Sequence, residues 1–421
     1  MENGTIDESD FCQDFLLDKE LAYMGGAFFT KEGRVSDTSQ LKQEIYQKIR
    51  PYVYSGVARK VDNILGGLKL ECARNLQPVS DQVIHLANGT YHLVDGFSEE
   101  KQFCRHRLPV NYRPMCPQPE TWLKFLDDLL ETEDIWTLQQ FMGYCLIPSN
   151  AAQKMLLITG KGGEGKSRIG IVMQALLGNN MKNGSIAKVE HSPFARADLE
   201  HVLVMVDDDL KMEALQQTNY IKSIITAEQP LDLERKGEQS YQGMMYARFM
   251  AFGNGNLRSL HDRSHGFFRR QLILTAKDRD PHRVDDPYLS QKLIAEIDGI
   301  FYWALAGLYC LIGQDFQFSI SEKARQNMAM AQEEGNNILS FLKSEGYFRF
   351  DPEGKTTSRA LYEVYRDWCS DNMCTPLGKQ SFFSFLRQHG PEYRLQYSSS
   401  IPGGNSRYVR GFQGIRLNPR M

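Results

Sequence analysis

The segment Met155–Ser167 reads MLLITGKGGEGKS and joins an apolar run to a glycine-rich turn. Its first five residues are suited to a buried parallel strand. The residues from Gly160 to Ser167 match the pattern G-x-x-x-x-G-K-[ST]. A helical pattern follows from Ile169 to Leu177 and ends at Gly178. This order of strand, glycine-rich loop and helix predicts an α/β core with a parallel sheet and flanking helices.

The glycine-rich loop predicts a binding site for a nucleoside triphosphate. Glycines let the backbone bend so that its N–H groups point at phosphate oxygens. Lys166 is expected to contact the β- and γ-phosphates, and the Ser167 hydroxyl is expected to ligate Mg²⁺. The predicted ATP-binding residues are Gly160, Gly162, Gly163, Glu164, Gly165, Lys166 and Ser167. The alternative is a coincidental glycine-rich turn.

A second apolar run, Val202–Val206, ends in three aspartates, Asp207, Asp208 and Asp209. Carboxylates at the carboxyl end of a strand beside the loop strand are placed to hold Mg²⁺ and to act on the attacking water. We assign the metal to Asp207 and the polarisation of water to Asp208, and we interpret Asp209 as a solvated cap of the next helix. An acidic turn is the alternative for the pair.

A third apolar run, Arg248–Gly253, ends at Asn254, whose amide could hydrogen-bond the γ-phosphate or orient the water. Ordinary turn chemistry is the alternative for Asn254, since Gly-Asn-Gly-Asn is also typical of turns. Arg269 and Arg270 precede a fourth run, Gln271–Leu274, and arginine is suited to bidentate contact with phosphate. In a ring such a residue can reach the ATP of a neighbouring subunit. A surface ion-pair cluster is the alternative.

The part before the loop mixes hairpin and helix signals. Asn88-Gly89 lies between two alternating runs and predicts a β-hairpin from Ile84 to Val94. Two stripes at helical spacing predict helices with one buried face. The first stripe is Trp122, Phe125, Leu126, Leu129 and Leu130, and the second is Ile135, Leu138, Met142 and Cys145.

The C-terminal part predicts a winged helix. Two helical patterns, Leu361–Trp368 and Lys379–Arg387, are followed by a hairpin that runs from 393–395 through Gly403-Gly404-Asn405 to 407–409. From Lys379 onward the sequence contains seven lysines and arginines and a single acidic residue, Glu392. This local charge is the footprint expected of a surface that contacts double-stranded DNA. The predicted contacts are Lys379, Arg387, Arg407 and Arg410; a protein-interaction winged helix is the alternative.

The composition restricts how much of the protein surface could bind DNA. The chain of 421 residues has a formal net charge of −3, so any DNA contact must be local. Eight cysteines without a CxxC pair fit a reducing cytosol, and Cys104, His106 and Cys116 lack a fourth zinc ligand at sensible spacing. The N-terminus lacks a secretory pattern, and the apolar stretch Phe301–Gly313 is too short to span a bilayer. A soluble cytoplasmic protein is expected.

The ordered set of loop, acidic pair, Asn254 and Arg269-Arg270 resembles superfamily 3 helicases. Within them it is similar to the poxvirus-type and phage/plasmid primase-helicase branch. Ile221-Lys222 and Leu231–Gly237 are similar to the motif that these helicases carry between the acidic pair and the asparagine. The segment from Gly253 to Arg270 is similar to replication initiator helicases of staphylococcal-type pathogenicity islands and cassettes.

The resemblance implies an AAA+-like ATPase that forms a homohexameric ring and moves 3′ to 5′ on single-stranded DNA in a bacterial host cell. A pore hairpin would grip that strand through Lys236, with Arg235 beside it. Many relatives have histidine after this lysine, where this chain has Gly237. Primase relatives carry an upstream primase domain, for which this chain shows no acidic motif, so primer synthesis is not expected.

We therefore expect three domains. They are an N-terminal mixed and helical oligomerisation domain (1–150), a superfamily 3 ATPase domain (151–320) and a winged-helix DNA-binding domain (321–421). The expected function is an ATP- and Mg²⁺-dependent helicase and replication initiator of a phage or mobile element. The rival is an ATPase that remodels or loads a partner protein such as another helicase. Basic residues on the pore hairpin favour DNA, whereas the nearby aromatic residue Tyr241 is compatible with the rival.

Overall fold

A parallel sheet of five strands organises the first of two units into which the chain folds in this computed structural model. The first unit comprises Met1–Asn256 and Gly266–Met328, and the second comprises Leu257–His265 and Ala329–Met421. The structure describes residues 6–35, 37–75, 79–210, 218–237, 239–254, 265–335, 337–374, 376–402 and 408–418. The domain boundaries at residues 150 and 320 stay predictions.

The elements up to residue 335 alternate between short strands and helices. The strands are β1 (Ala22–Met24), β2 (Ala27–Thr30), β3 (Gly33–Arg34), β4 (Val83–Leu86), β5 (Gly89–His92), β6 (Gly96–Ser98), β7 (Arg107–Leu108), β8 (Met155–Gly160), β9 (Met181–Asn183), β10 (Val204–Asp207), β11 (Leu231–Leu233), β12 (Tyr241–Gly243), β13 (Arg248–Asn254) and β14 (Gln271–Thr275). The helices are α1 (Glu8–Asp18), α2 (Thr38–Ile49), α3 (Val57–Glu71), α4 (Glu120–Leu129), α5 (Thr132–Tyr144), α6 (Ser167–Leu177), α7 (Ile186–His191), α8 (Pro193–Ala197), α9 (Asn219–Ile225), α10 (His265–Phe268), α11 (Leu289–Ala295), α12 (Ile297–Gly313) and α13 (Glu322–Gly335).

The central sheet has the strand order β14-β8-β13-β10-β9, and every neighbouring pair is parallel. The four apolar runs predicted as strands supply β8, β10, β13 and β14, because such runs are buried on both faces of a parallel sheet. The register pairs Asn254 with Gly160 and Asp207 with Ala251. The glycine-rich loop, the aspartates and Asn254 therefore leave the sheet at the same, carboxyl edge.

The predicted hairpin and both predicted helices are present in the first unit. β4 and β5 pair antiparallel, with Leu86 opposite Gly89, in a sheet of order β6-β5-β4-β7. The apolar stripes of α4 and α5 are buried in one core with the central sheet, except for Ile135, which is partly buried there. A separate core joins α1, α2 and α3, and β1, β2 and β3 form their own small sheet.

Helices α5 and α12 approach each other through two glycines. A Cβ added at Gly143 would lie 2.3 Å from the carbonyl oxygen of Ala304, and one added at Gly307 would lie 2.3 Å from that of Gln139. Backbones can approach this closely only where no Cβ intervenes. The two glycines thus allow α5 to pack closely against α12. The buried face of α12 belongs to the same core as the sheet.

The second unit places three helices around an antiparallel sheet. Its elements are α14 (Asn337–Leu342), β15 (Phe348–Thr357), α15 (Ser358–Asp371), α16 (Lys379–His389), β16 (Gln396–Pro402) and β17 (Tyr408–Leu417). The sheet order is β15-β17-β16. Phe341, Tyr365 and Phe382 pack their rings in its core.

Two features of this unit differ from the sequence prediction. The first hairpin strand begins at Gln396 and not at 393, because Gly390–Tyr393 forms a short 3-10 turn. Strand β15 was not predicted, since its sequence FRFDPEGKTT contains proline and glycine, and its pairing with β17 shifts register between Phe350 and Lys355. The predicted turn residues Gly403, Gly404 and Asn405 lie outside the described residues.

In the described part of the chain, no single helix is long and apolar enough to cross a membrane. Helices α11 and α12 pass that test of length and composition only as a pair, across a bend of 68°.

Replacing Gly143 by alanine tests the close approach of α5 and α12. The added methyl group would overlap the backbone of α12, so Gly143→Ala is expected to destabilise the first unit by about 1–3 kcal/mol. Gly66→Ala is the matched control, because Gly66 lies inside α3 with open space around it. Alanine should stabilise that helix by about 0.5–1 kcal/mol. Calorimetric melting would contradict the packing if Gly143→Ala melted at the wild-type temperature or above.

Candidate nucleotide-binding site

The loop between β8 and α6 needs its glycines for conformational reasons. Gly162, Gly163 and Gly165 have φ values of 109°, 83° and 105°, which side chains other than glycine rarely adopt. This backbone turns sharply from the sheet into α6, which begins at Ser167 directly after Lys166. The free N–H groups and the dipole of a helix N-terminus favour an anion at such a place.

The side chain of Glu164 lies inside this loop. Its Oε1 accepts hydrogen bonds from the backbone N–H groups of Lys161 (2.5 Å) and Gly162 (2.8 Å), and its Oε2 accepts one from Lys166 Nζ at 2.7 Å. The side chains of Glu164 and Lys166 are only 3% and 6% exposed. The carboxylate therefore takes the donors that were predicted to bind phosphate.

The protonation of Glu164 reflects this environment. Burial by itself raises the pKa of a carboxyl group, but the hydrogen bond from the Lys166 ammonium and those from backbone N–H groups lower it, and the net pKa of Glu164 lies below its ordinary value. Glu164 is thus held as an anion in a ring of donors. We interpret it as an internal stand-in for a phosphate oxygen.

A cavity of about 440 Å³ opens beside the loop. Lys166, Ser167 and Asp208 line it together with Phe252. Residues from the segment after β14 complete its wall; they are Arg279, Arg283, Asp285, Asp286, Pro287 and Leu289. The volume of the cavity is in the range of small-molecule sites, and its lining consists mainly of charged side chains and loop glycines, which suits a charged ligand.

The two aspartates at the end of β10 have different surroundings. Asp208 is exposed and lines the cavity. Asp207 is buried, and its Oδ2 accepts a hydrogen bond from the N–H of Ile186 at 2.8 Å. Burial raises the pKa of Asp207, and the charges of Asp209 and Asp208 act in the same direction, although the bonds from Ile186 and Asp209 oppose them. Asp208 is therefore the aspartate that faces an occupant of the cavity.

The remaining predicted catalytic residues lie at different edges of the sheet. Asn254 ends β13 opposite Gly160, although its side chain lies outside the described residues. Arg269 and Arg270 precede β14, and the N–H of Met155 bonds the carbonyl oxygen of Arg270. These arginines lie at the amino edge, separated from the loop by the length of β8, about 16 Å. They do not belong to the cavity of their own chain.

Arg235 and Lys236 follow β11 in a two-stranded hairpin formed with β12. The guanidinium of Arg235 binds Glu200 Oε2 at 2.6 Å and the carbonyl oxygen of Gly25 at 3.1 Å. It also lies over the ring of Tyr241, whose hydroxyl donates to the same carboxylate at 2.7 Å. Lys236 is exposed at the tip. The structure thus gives Arg235 an internal anchoring position and presents Lys236 to solvent.

Three of the four predicted DNA contacts of the second unit lie on α16 and β17. Lys379 lies over the ring of Tyr362, and Arg387 lies over the ring of Tyr397. Arg410 is exposed on β17, while Arg407 lies outside the described residues.

Sequence motifs missed Arg279, Arg283 and Asp285 as lining residues of the cavity. No spacing rule applies to them, since they stand in an irregular segment between β14 and α11. The available signal was the density of charge in Lys277–Asp286, KDRDPHRVDD, directly after a strand next to the loop strand.

Comparison with known proteins supports the fold. The sequence profile of DUF5906, a family of unknown function, matches residues 158–270, which include the loop, the aspartates and Arg269-Arg270. An apo structure of the NrS-1 C-terminal region (305–718) superposes with a TM-score of 0.57 at 11% identity, covering 97% of this chain and 100% of that one. The A-form apo structure gives a TM-score of 0.54 at 12% identity, covering 98% and 100%. No curated protein matches the chain. The chain therefore shares its fold with the NrS-1 C-terminal region over nearly its whole length.

Glu164→Gln tests whether this carboxylate competes with a bound anion. Replacing the carboxylate by a neutral amide leaves a weaker acceptor for the loop N–H groups and the Lys166 ammonium, so ATP should bind about tenfold more tightly, as expected when a charge-assisted hydrogen bond must no longer be broken. Asp278→Asn is the control: it removes a carboxylate paired with Lys161 at 2.7 Å that is 72% exposed and lies outside the loop. Titration with a fluorescent ATP analogue measures both. Weaker or unchanged affinity in Glu164→Gln would show that the carboxylate is no competitor.

Proposed function

We propose that the protein is an ATP-driven DNA helicase motor that acts in the replication of a phage or mobile element. The observation that carries the proposal is the cavity at the carboxyl edge of the parallel sheet, where the glycine-rich loop, Lys166, Ser167 and Asp208 meet. Ligands of open parallel α/β sheets bind at this edge. The anion already held there by Lys166 indicates the chemistry that the loop selects.

ATP would lie with its phosphates along residues 160–167. Lys166 and the loop N–H groups would bind the β- and γ-phosphates once Glu164 has withdrawn. The Ser167 hydroxyl and the aspartates at the end of β10 are hard oxygen donors that suit Mg²⁺, which would neutralise phosphate charge. Asp208 is available for this site as placed, and Asp207 would join it by giving up its bond to Ile186. Asn254 would orient the attacking water.

The position of Arg269 and Arg270 supports a ring. They lie at the amino edge of the sheet, away from the cavity of their own chain, and an arginine that stabilises the transferred phosphate must reach it directly. A neighbouring subunit could supply this arginine, as the homohexamer implied by the sequence resemblance requires. Hydrolysis would then occur at subunit interfaces.

The β11–β12 hairpin supports a DNA-gripping role for Lys236. Glu200 accepts hydrogen bonds from Arg235 and Tyr241, which lie where the hairpin loop joins the two strands. Glu200 also lies shortly before β10, the strand that ends at the aspartates. A movement of β10 that follows the nucleotide state would therefore reach the hairpin. The exposed Lys236 would bind the phosphates of single-stranded DNA. The motor would move along this strand in the 3′ to 5′ direction.

The second unit supports a winged-helix DNA-binding domain. Its order of helix, strand, two helices and two strands, with sheet order β15-β17-β16, is typical of winged helices. Lys379, Arg387, Arg407 and Arg410 would contact the phosphates of duplex origin DNA.

The rival function is an ATPase that remodels or loads a partner protein. Such a machine would use an aromatic residue at the hairpin tip, and Tyr241 was its candidate. Tyr241 pairs with Leu233 where the strands join the hairpin loop, and its hydroxyl donates a hydrogen bond to Glu200, so that its ring is tied to the body of the first unit. This placement favours DNA as the substrate.

Unwinding of a forked duplex tests the motor. Lys166→Ala should lose both ATP hydrolysis and unwinding, because the phosphates lose their main cation. Lys236→Ala should keep basal hydrolysis and lose most unwinding. Lys42→Ala, which removes another exposed lysine, on α2, should behave as wild type. Substrates with only a 3′ or only a 5′ tail measure polarity.

Two outcomes would count against the motor. Hydrolysis by wild type without DNA binding or unwinding would favour the protein-remodelling function. Full unwinding by Lys236→Ala would remove the pore hairpin from the mechanism.

Duplex binding tests the second unit in the full-length protein. Replacing three cations with alanine should weaken duplex binding and reduce the slope of log K against log salt by about 2–3, since each phosphate contact contributes about 0.9. ATP hydrolysis should not change. The test set is Lys379, Arg387 and Arg410, and the control set of exposed cations in the same unit is Arg349, Lys355 and Arg359. Equal losses in both sets would contradict a defined DNA face.

A further inference from the structure

Two arginines outside every predicted motif hold the backbone of the glycine-rich loop. Arg283 Nη1 donates to the carbonyl oxygen of Glu164 at 2.8 Å, and Arg279 Nη1 donates to that of Gly163 at 3.5 Å. Both arginines line the cavity that contains Lys166 and Ser167. They reach it from the segment between β14 and α11, next to the loop strand in the sheet.

These contacts fix the orientation of two successive peptide groups. In a planar trans peptide, the C=O and N–H point in opposite directions. Holding the carbonyl oxygens of Gly163 and Glu164 therefore directs the N–H groups of Glu164 and Gly165 away from the arginines. Glycine-rich backbone with positive φ would otherwise sample many orientations, because it lacks a Cβ.

The arginines lie directly against those glycines, at van der Waals distance. A Cβ added at Gly165 would lie 3.4 Å from Arg283 Nη2, and one at Gly163 would lie 3.7 Å from Arg279 Nη1. Asp285 accepts a hydrogen bond from Arg279 Nη2 at 2.9 Å, and its other oxygen lies 3.9 Å from Arg283 Nε. Arg279 is thus held by Asp285 as well as by the loop.

We propose that Arg279 and Arg283 are positioning residues of the nucleotide site, which preorganise the loop N–H groups for the α- and β-phosphates of the nucleotide. The inference rests on the proposed function, because it assigns these arginines to the ATP site of the same chain. It extends that function to a segment that none of the predicted motifs includes.

The arrangement also explains how Glu164 can leave its position. Its carboxylate bonds the N–H groups of Lys161 and Gly162 and the ammonium of Lys166, whereas its carbonyl oxygen bonds Arg283. These two sets of bonds are independent. When a phosphate displaces the carboxylate, Arg283 still holds the peptide, so the loop keeps its shape while the side chain moves.

Equilibrium binding of ATP and of ADP to full-length variants tests the proposal. Arg283→Ala should weaken both nucleotides by about tenfold and to the same extent, because both carry the α- and β-phosphates that loop N–H groups bind. Arg279→Ala should have the same pattern and a smaller effect, given its longer contact. Arg283→Lys should recover part of the loss, since an ammonium can donate to the same carbonyl oxygen. Lys42→Ala serves as the surface control.

The outcomes separate a positioning role from other roles. Loss of ATP affinity with retained ADP affinity would instead indicate contact with the γ-phosphate and would overturn the proposal. Unchanged nucleotide binding in Arg283→Ala would also overturn it. So would a lowered melting temperature of nucleotide-free Arg283→Ala that Arg283→Lys does not restore. If wild type binds no nucleotide, the proposed function itself fails. If wild type binds and only Lys166→Ala is impaired, that function stands and the inference falls.

Discussion

The buried ion pair between Lys166 and Glu164 is the interaction on which the site depends. Burying a charge is costly unless it is paired, and Lys166, whose side chain is 6% exposed, donates to Glu164 at 2.7 Å. Backbone N–H groups of the loop donate to the same carboxylate. The chain supplies this anion from within its own motif. In the proposed function, a nucleotide would have to replace this existing bond. The affinity for ATP would then depend on the difference between phosphate and carboxylate in one set of donors, and on the residue at position 164.

The parallel sheet determines at which of its edges each of the other candidate residues lies. All five strands run in one direction, so their carboxyl ends bring together the loop, Asp208 and Asn254, while Arg269 and Arg270 are left at the opposite edge. The cavity beside the loop thus lacks these arginines among its lining residues. Strand β10 ends at the aspartates, and Glu200, which precedes it, anchors the hairpin that carries Lys236. If the proposed function holds, this strand would connect the bound nucleotide to the hairpin.

Much of this fold could be predicted from the sequence, because long apolar runs and a full loop pattern are strong local signals. They predicted β8, β10, β13, β14 and the helix after the loop. Short or irregular elements were missed: β9 has only three residues, MKN, and β15 contains proline and glycine. The tertiary contacts of individual side chains could not be predicted from the sequence either. The sequence does not show that Glu164 would enter the loop, that Arg235 would bind Glu200, or that Arg283 would reach the loop from the segment after β14, since these contacts depend on the folded backbone.

The decisive measurement is a cryo-electron microscopy structure with a non-hydrolysable ATP analogue, Mg²⁺ and single-stranded DNA. We expect a ring with the triphosphate in the loop of residues 160–167, Lys166 on its phosphates, and the Glu164 carboxylate withdrawn. We also expect Arg269 or Arg270 of one subunit at the nucleotide of the next, and DNA against Lys236 in the pore. An analogue bound at another place in a saturated protein, with Glu164 still bonded to Lys166, would refute a nucleotide site in this loop.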